Sequence, residues 1–218
     1  LEFGEARSLL EVKIVHCESL RAIDGLATCS ELRNLSICHC PSLRQIEGIE
    51  GCKHLASLAL EECAQVPGLP TLIAHASELK TLSMEGFTER DGLEVITECP
   101  QLESLSIDNA SVFTQSDVWA RCAALQELSL SGWAAKDIRR ILDACPQVKS
   151  LKLSKCSELE TLECLGEGRA LERLTLEKCQ SLNNLRRLQH LTHLRTLIIS
   201  GCDAVTSLGF LLSRSALG

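Results

Sequence analysis

The chain has 218 residues, 45% of them hydrophobic but only 3% aromatic, with no Tyr, and its formal net charge is −7. That is enough apolar material for one domain or one repeat array, but a core without aromatics must be built in thin, uniform layers of Leu, Ile, Val, Ala and Cys. No apolar run reaches the roughly 18 residues that span a bilayer, and the acidic balance suits a phosphate backbone poorly.

In chain order, Phe3 and Ala6 fit the tail of a repeat, and the next residues set its period. The segment Leu32 to Cys40, LRNLSICHC, shows the pattern most plainly: Leu-x-x-Leu-x-Ile-x-x-Cys. It starts at Leu9, Leu32, Leu55, Leu79, Leu102, Leu125, Val148, Leu171 and Leu194, always 23 residues apart except for one interval of 24 after Leu55. The ninth position holds Cys17, Cys40, Cys63, Phe87, Ala110, Trp133, Cys156, Cys179 and Cys202. Alternating apolar residues at positions four and six predict a half-buried strand. One strand per repeat, returning every 23 residues, predicts a parallel sheet, and each repeat is too small to stand alone, so neighbours must stack. The ninth-position Cys is expected to turn inward beneath a row of backbone carbonyls, with Phe87 and Trp133 widening the turn locally.

The returns between strands fall into two kinds. After Cys17, Cys40, Cys156 and Cys179 an apolar residue recurs every third position, as in Leu20, Ile23, Leu26 and Leu43, Ile46, Ile49. That spacing predicts an extended or short 3₁₀ path. Residues 64–78, with Pro67, Gly68 and Pro70, mark a change of type. The returns then read as helical: one with Thr88 as cap and Pro100 as stop, one through TQSDVWARCAAL, and one ending at Pro146. Trp119 is expected on the convex helix and Trp133 inside the stack. The first residue is not Met and neither end shows a polar cap, which reads as a piece of a longer chain.

This repeat resembles the leucine-rich-repeat family in its cysteine-containing form, over essentially the whole chain. The middle units resemble those of F-box substrate receptors, the outer ones those of plant immune receptors or trypanosomatid proteins. The resemblance implies an α/β solenoid, a horseshoe with a parallel sheet on its concave face and mixed helical and extended returns on its convex face. Residues 1–218 would form a single array of nine repeats. It also implies a protein–protein interaction module, not an enzyme, that binds a partner protein along the concave face, with no cofactor, nucleic acid or membrane involved. The alternatives are a structural scaffold or spacer contacted by its convex side or edges, and the substrate-receptor part of a ubiquitin ligase.

Strand alternation places motif positions three, five, seven and eight on the concave face. Most of these residues are small and polar, and Glu61, Glu62, Glu85, Asp108 and Glu127 read as an acidic column with Asn109 beside it. The sign then flips, with Lys152, Lys155, Arg173 and Lys178 in the next two repeats. The whole chain follows the same asymmetry: residues 1–145 hold 12 basic and 22 acidic side chains, residues 146–218 hold 10 and 7. A dipolar face of this kind would orient a partner of complementary charge and speed encounter.

The chemistry of the remaining motifs is sparse. The 13 cysteines are an odd number and fall at one recurring place, which reads as reduced, buried thiols in an intracellular, cytoplasmic protein. Cys38 and Cys164 stand outside the pattern and are the candidates for a reactive thiol. His16, Cys38, His39 and Glu62 lie within reach of one another if the face brings them together, but without a Cys-x-x-Cys pair the expectation is no metal site. Two sequons occur, Asn34-Leu35-Ser36 and Asn109-Ala110-Ser111. No Gly-rich phosphate loop or Gly-x-Ser-x-Gly elbow is present in the sequence.

Overall fold

A computed structural model describes residues 6–63, 66, 73, 76–86, 93–108, 116–166 and 170–208. The chain divides into two compact units, Leu1–Asp108 with Arg121–Leu125, and Asn109–Ala120 with Gln126–Gly218. Thr88, Pro67, Gly68, Pro70, Phe87, Ala110, Asn109 and Phe3 lie outside the described residues.

The first unit contains five parallel strands in chain order: β1 (Glu11–Val15), β2 (Asn34–Cys38), β3 (Ser57–Glu61), β4 (Thr81–Glu85) and β5 (Ser104–Asp108). Each pairs with the next in repeat register, Glu11 opposite Asn34, Asn34 opposite Ser57, Ser57 opposite Thr81 and Thr81 opposite Ser104. The second unit contains four: β6 (Glu127–Ser131), β7 (Ser150–Ser154), β8 (Arg173–Glu177) and β9 (Thr196–Ser200). Their register is the same, Glu127 opposite Ser150, Ser150 opposite Arg173 and Arg173 opposite Thr196.

The alternation that predicts these strands is also their burial pattern. Positions four and six point into the core: Leu35, Leu58, Leu82 and Leu105 are buried, as are Ile37, Leu60 and Ile107. Each such side chain contributes about 1.5–3 kcal/mol by leaving water. Position one closes the layer, and its N–H donates to the carbonyl three residues earlier, as from Leu32 to Cys29 and from Leu55 to Cys52.

The returns follow the two predicted kinds. In the first unit Ala22–Ile23 and Gln45–Ile46 form a short parallel pair, followed by 3₁₀ turns at Leu26–Thr28 and Ile49–Gly51. Gly48 opens the second turn at φ +85°, where a Cβ would lie 2.4 Å from the Ala27 nitrogen, so no other residue fits. Leu93–Glu98 is a 3₁₀ helix. In the second unit the returns include helices α1 (Ser116–Ala120) and α2 (Ala135–Ala144), then 3₁₀ turns at Glu163–Leu165 and Arg186–His190. Helix α2 ends before Pro146, as expected, and buries Ile138, Ile141 and Leu142. Trp119 of α1 and Trp133 are both buried and meet edge to face, with ring centroids 6.2 Å apart.

The cysteines occupy two recurring places rather than one. The first is the ninth motif position, where Cys63 Sγ donates to the carbonyls of Glu61 (3.4 Å) and Ile37 (3.5 Å), and Cys179 Sγ to those of Glu177 (3.6 Å) and Leu153 (3.7 Å). The predicted carbonyl row is therefore present. The second place lies three residues before the motif, at Cys29, Cys52, Cys99, Cys122 and Cys145, all buried. There Cys52 Sγ donates to Leu26 O (3.3 Å) and Cys145 Sγ to Trp119 O (3.4 Å), one return back. Burial pushes the Cys52, Cys63, Cys99 and Cys145 thiols up to about 11.

Candidate binding surface on the strand face

In the first unit, motif positions three, five and seven face away from the core. Position seven runs Val15, Cys38, Glu61, Glu85, Asp108, so three acids end three successive strands. Neighbouring strands lie about 4.8 Å apart, close enough for like charges to repel. Hydroxyls from position five of the following strand offset this: Ser83 Oγ donates to Glu61 Oε1 at 3.0 Å, and Ser106 Oγ to Glu85 Oε1 at 2.9 Å. The Gly86 N–H donates to Asp108 Oδ2 at 2.6 Å. Each carboxylate is thus held by a neutral donor. None of the ion pairs among the described residues involves Glu61, Glu85 or Asp108.

Two members of the predicted column belong elsewhere. Glu62 occupies position eight, which is not a strand position. His16, His39, Glu62, Gly86, Gly132, Lys155, Lys178 and Gly201 all have φ between +51° and +83°. A left-handed residue stops the side-chain alternation, so position eight forms a separate row along the strand ends. Its backbone stays in the ladder: Glu62 N–H donates to Glu85 O at 2.7 Å and Lys155 N–H to Glu177 O at 2.9 Å. The Glu62 carboxylate meets His39 Nδ1 at 2.9 Å. Glu127 is the second exception. It begins β6, whereas Glu61, Glu85 and Asp108 end their strands. The recurrence of Gly86, Gly132 and Gly201 at one motif position was the signal for the left-handed row.

The four predicted bases of the second unit are likewise spread over three rows. Lys155 and Lys178 stand in the left-handed row, Lys152 at position five and Arg173 at position three. Lys152 Nζ is 2.8 Å from Glu177 Oε2, so part of the expected positive patch is neutralised by the acid at position seven of the next repeat. A shallow groove follows the strand starts, lined by the acids Glu127 and Glu172 and the bases Lys149, Arg173 and Arg195.

Of the His16, Cys38, His39 and Glu62 group, His16, His39 and Glu62 come into contact, but as a stack and an ion pair, with Cys38 turned to another partner. The two imidazoles stack face to face, centroids 4.6 Å apart and 2° from parallel, while Cys38 Sγ lies 3.4 Å from Ser36 Oγ. Among the described residues no three His, Cys, Asp or Glu side chains gather as a metal site requires. Of the two candidate reactive thiols, Cys38 is half-buried, but Cys164 is buried inside the 3₁₀ turn and is not an accessible thiol. The exposed thiol is Cys17, which the periodic argument had placed in the core.

No family model matches the sequence, and no curated protein matches it. Solved structures do. Internalin C2 of Listeria monocytogenes aligns with a TM-score of 0.50 at 18% identity, over 89% of this chain and 82% of its own. A leucine-rich-repeat protein of Leptospira interrogans aligns with a TM-score of 0.54 at 15% identity, over 89% of this chain and 62% of its own. The fold is the leucine-rich-repeat fold. At these identities the likeness concerns the backbone path and says nothing about the residues on its face. Among the described residues no helix is long and apolar enough to cross a membrane.

Proposed function

We propose that the chain is a protein–protein interaction module, not an enzyme, and that its partner docks on the outward face of the strands. The observation that carries this reading is the row Glu61, Glu85 and Asp108. Three carboxylates are fixed at successive strand ends by neutral donors, without a cationic partner among the described residues. Fixed, uncompensated charge of one sign on a rigid sheet favours a basic partner surface and accelerates its approach. Glu62 and Asn109 flank this row in sequence. Glu127, Lys152, Lys155, Arg173 and Lys178 supply a second, mixed-charge surface on the other unit. The thirteen free cysteines support an intracellular, cytoplasmic setting.

The test is a cross-linking pull-down from native extract, with the unchanged chain beside a Glu61→Lys, Glu85→Lys, Asp108→Lys variant of equal thermal stability. Loss of the captured partner in the variant supports the row as its docking site. Retention of the same partner refutes it. The second reading, a structural element contacted along its edges, rests on the exposure of Leu10, just before β1 of the first unit, and of Ile198 in β9 of the second. It predicts that Ile198→Lys, not the acidic variant, releases the partner.

A further inference from the structure

The thiols of the ninth motif position form a column, and its members differ in access. Cys40 and Cys63 are buried, while Cys17 is exposed. The backbone around Cys17 and Cys40 is held in repeat register. Val15 pairs with Cys38, His16 N–H donates to Cys38 O at 3.0 Å, and His39 N–H donates to Glu61 O at 2.9 Å. Neighbouring strands in such a ladder are about 4.8 Å apart, inside the Cα separation of about 4.4–6.8 Å that a disulfide spans. The two side chains take the same course, each thiol donating to the carbonyl two residues back, Cys17 to Val15 at 3.7 Å and Cys40 to Cys38 at 3.5 Å. Cys17 is also among the groups that perturb the Cys40 thiol, as a neighbour in the column does.

We propose that Cys17 and Cys40 are a redox-modifiable thiol pair, which a low-molecular-weight disulfide converts into an internal disulfide joining the first two repeats. In the first step the Cys17 thiolate attacks one sulfur of the small disulfide. That S–S bond breaks, and one small thiol leaves as its thiolate and takes up a proton. In the second step the Cys40 thiolate attacks the Cys17 sulfur of the mixed disulfide and expels the second small thiol. The protein loses two thiol hydrogens and two electrons, and the small disulfide gains both. The order follows from access: Cys17 meets solvent, whereas burial raises the Cys40 thiol and makes it the resolving partner. Cys156 and Cys179 occupy the same motif position but are both fully buried, so they serve as an internal control.

The experiment uses the full reduced chain and oxidised glutathione as the probe, followed by non-reducing peptide mapping. The expected result is a linked Cys17–Cys40 peptide as the first product, with the Cys156 and Cys179 peptides still reduced. A glutathione adduct that persists on Cys17 while Cys40 stays free would overturn the proposal, as would a first disulfide between any other pair. Two variants test the order. Cys40→Ser should trap the adduct on Cys17, and Cys17→Ser should leave Cys40 unreacted. Adduct formation on Cys40 in the Cys17→Ser chain would refute the sequence of steps.

Discussion

An L-residue with a side chain loses about 1–2 kcal/mol by entering the left-handed region, and His16, His39, Glu62, Lys155 and Lys178 all stand there. The array tolerates this because the eighth position must turn the chain from the strand into the ninth, where the thiol docks under its carbonyls. Lys155 is the cleanest test, at φ +51° with its ammonium outside every ion pair among the described residues. Lys155→Gly should stabilise the protein by about 0.5–1 kcal/mol, since relief of strain exceeds the added entropy of the unfolded chain. Lys155→Val should destabilise it. Urea midpoints at constant slope would show both, and a Gly variant less stable than the parent would mean that the turn is unstrained. The buried thiols give a second prediction at this scale. Cys52, Cys63, Cys99 and Cys145 ionise near 9 when free but near 11 in the fold. Burial thus favours the protonated form. Their contribution is complete below pH 9 and lost as the pH rises through 11. Thiolate absorbance should therefore rise together with the alkaline unfolding signal. Thiolates of Cys52, Cys63, Cys99 or Cys145 appearing near pH 9 in the folded chain would count against their burial.

Strands were the most legible elements because their side-chain period of two contrasts with everything around it, and all nine occupy their motif positions. The returns were legible in kind but less so in detail. The return after β4 reads as helical in the sequence, and Leu93–Glu98 takes the tighter 3₁₀ form with Ile96 buried. Helix α2 was legible from its 3.6-residue apolar stripe and from Pro146, yet its start carries an unexploited position. Ala134 is the N-cap, extended at φ −75° and ψ 146°, and offers no side-chain acceptor to the first helical N–H groups. Only Asp137 in the first turn favours that end. Ala134→Ser should add about 1 kcal/mol, read as a higher thermal midpoint. An unchanged midpoint would show that the first-turn donors are already satisfied by water.

Across the whole molecule, the face was harder to read than the core, for a physical reason. Core positions are dictated by burial, so a repeated Leu reports its own direction. Face residues are under no such constraint, and the eighth position breaks the alternation on which the acidic column was drawn. Glu61, Glu85 and Asp108 survive as a row because all three precede the break. Glu62 falls on it, and Glu127 opens its strand instead of closing it. The same stacking logic predicts where the second unit is weakest. Each repeat is stabilised by its neighbours alone. Leu174 and Leu176 of β8 are fully buried between β7 and β9, whereas Leu197 and Ile199, their counterparts in β9, are only half-buried and Ile198 is 46% exposed. Backbone hydrogen bonds join β9 to β8, such as Thr196 N–H to Glu172 O at 3.0 Å, but less apolar burial supports them. Native-state hydrogen exchange should therefore find Thr196–Ser200 opening more readily than Arg173–Glu177. Equal protection of the two strands would mean that they open as one cooperative unit, and that stability here is not the nearest-neighbour sum that stacked repeats imply.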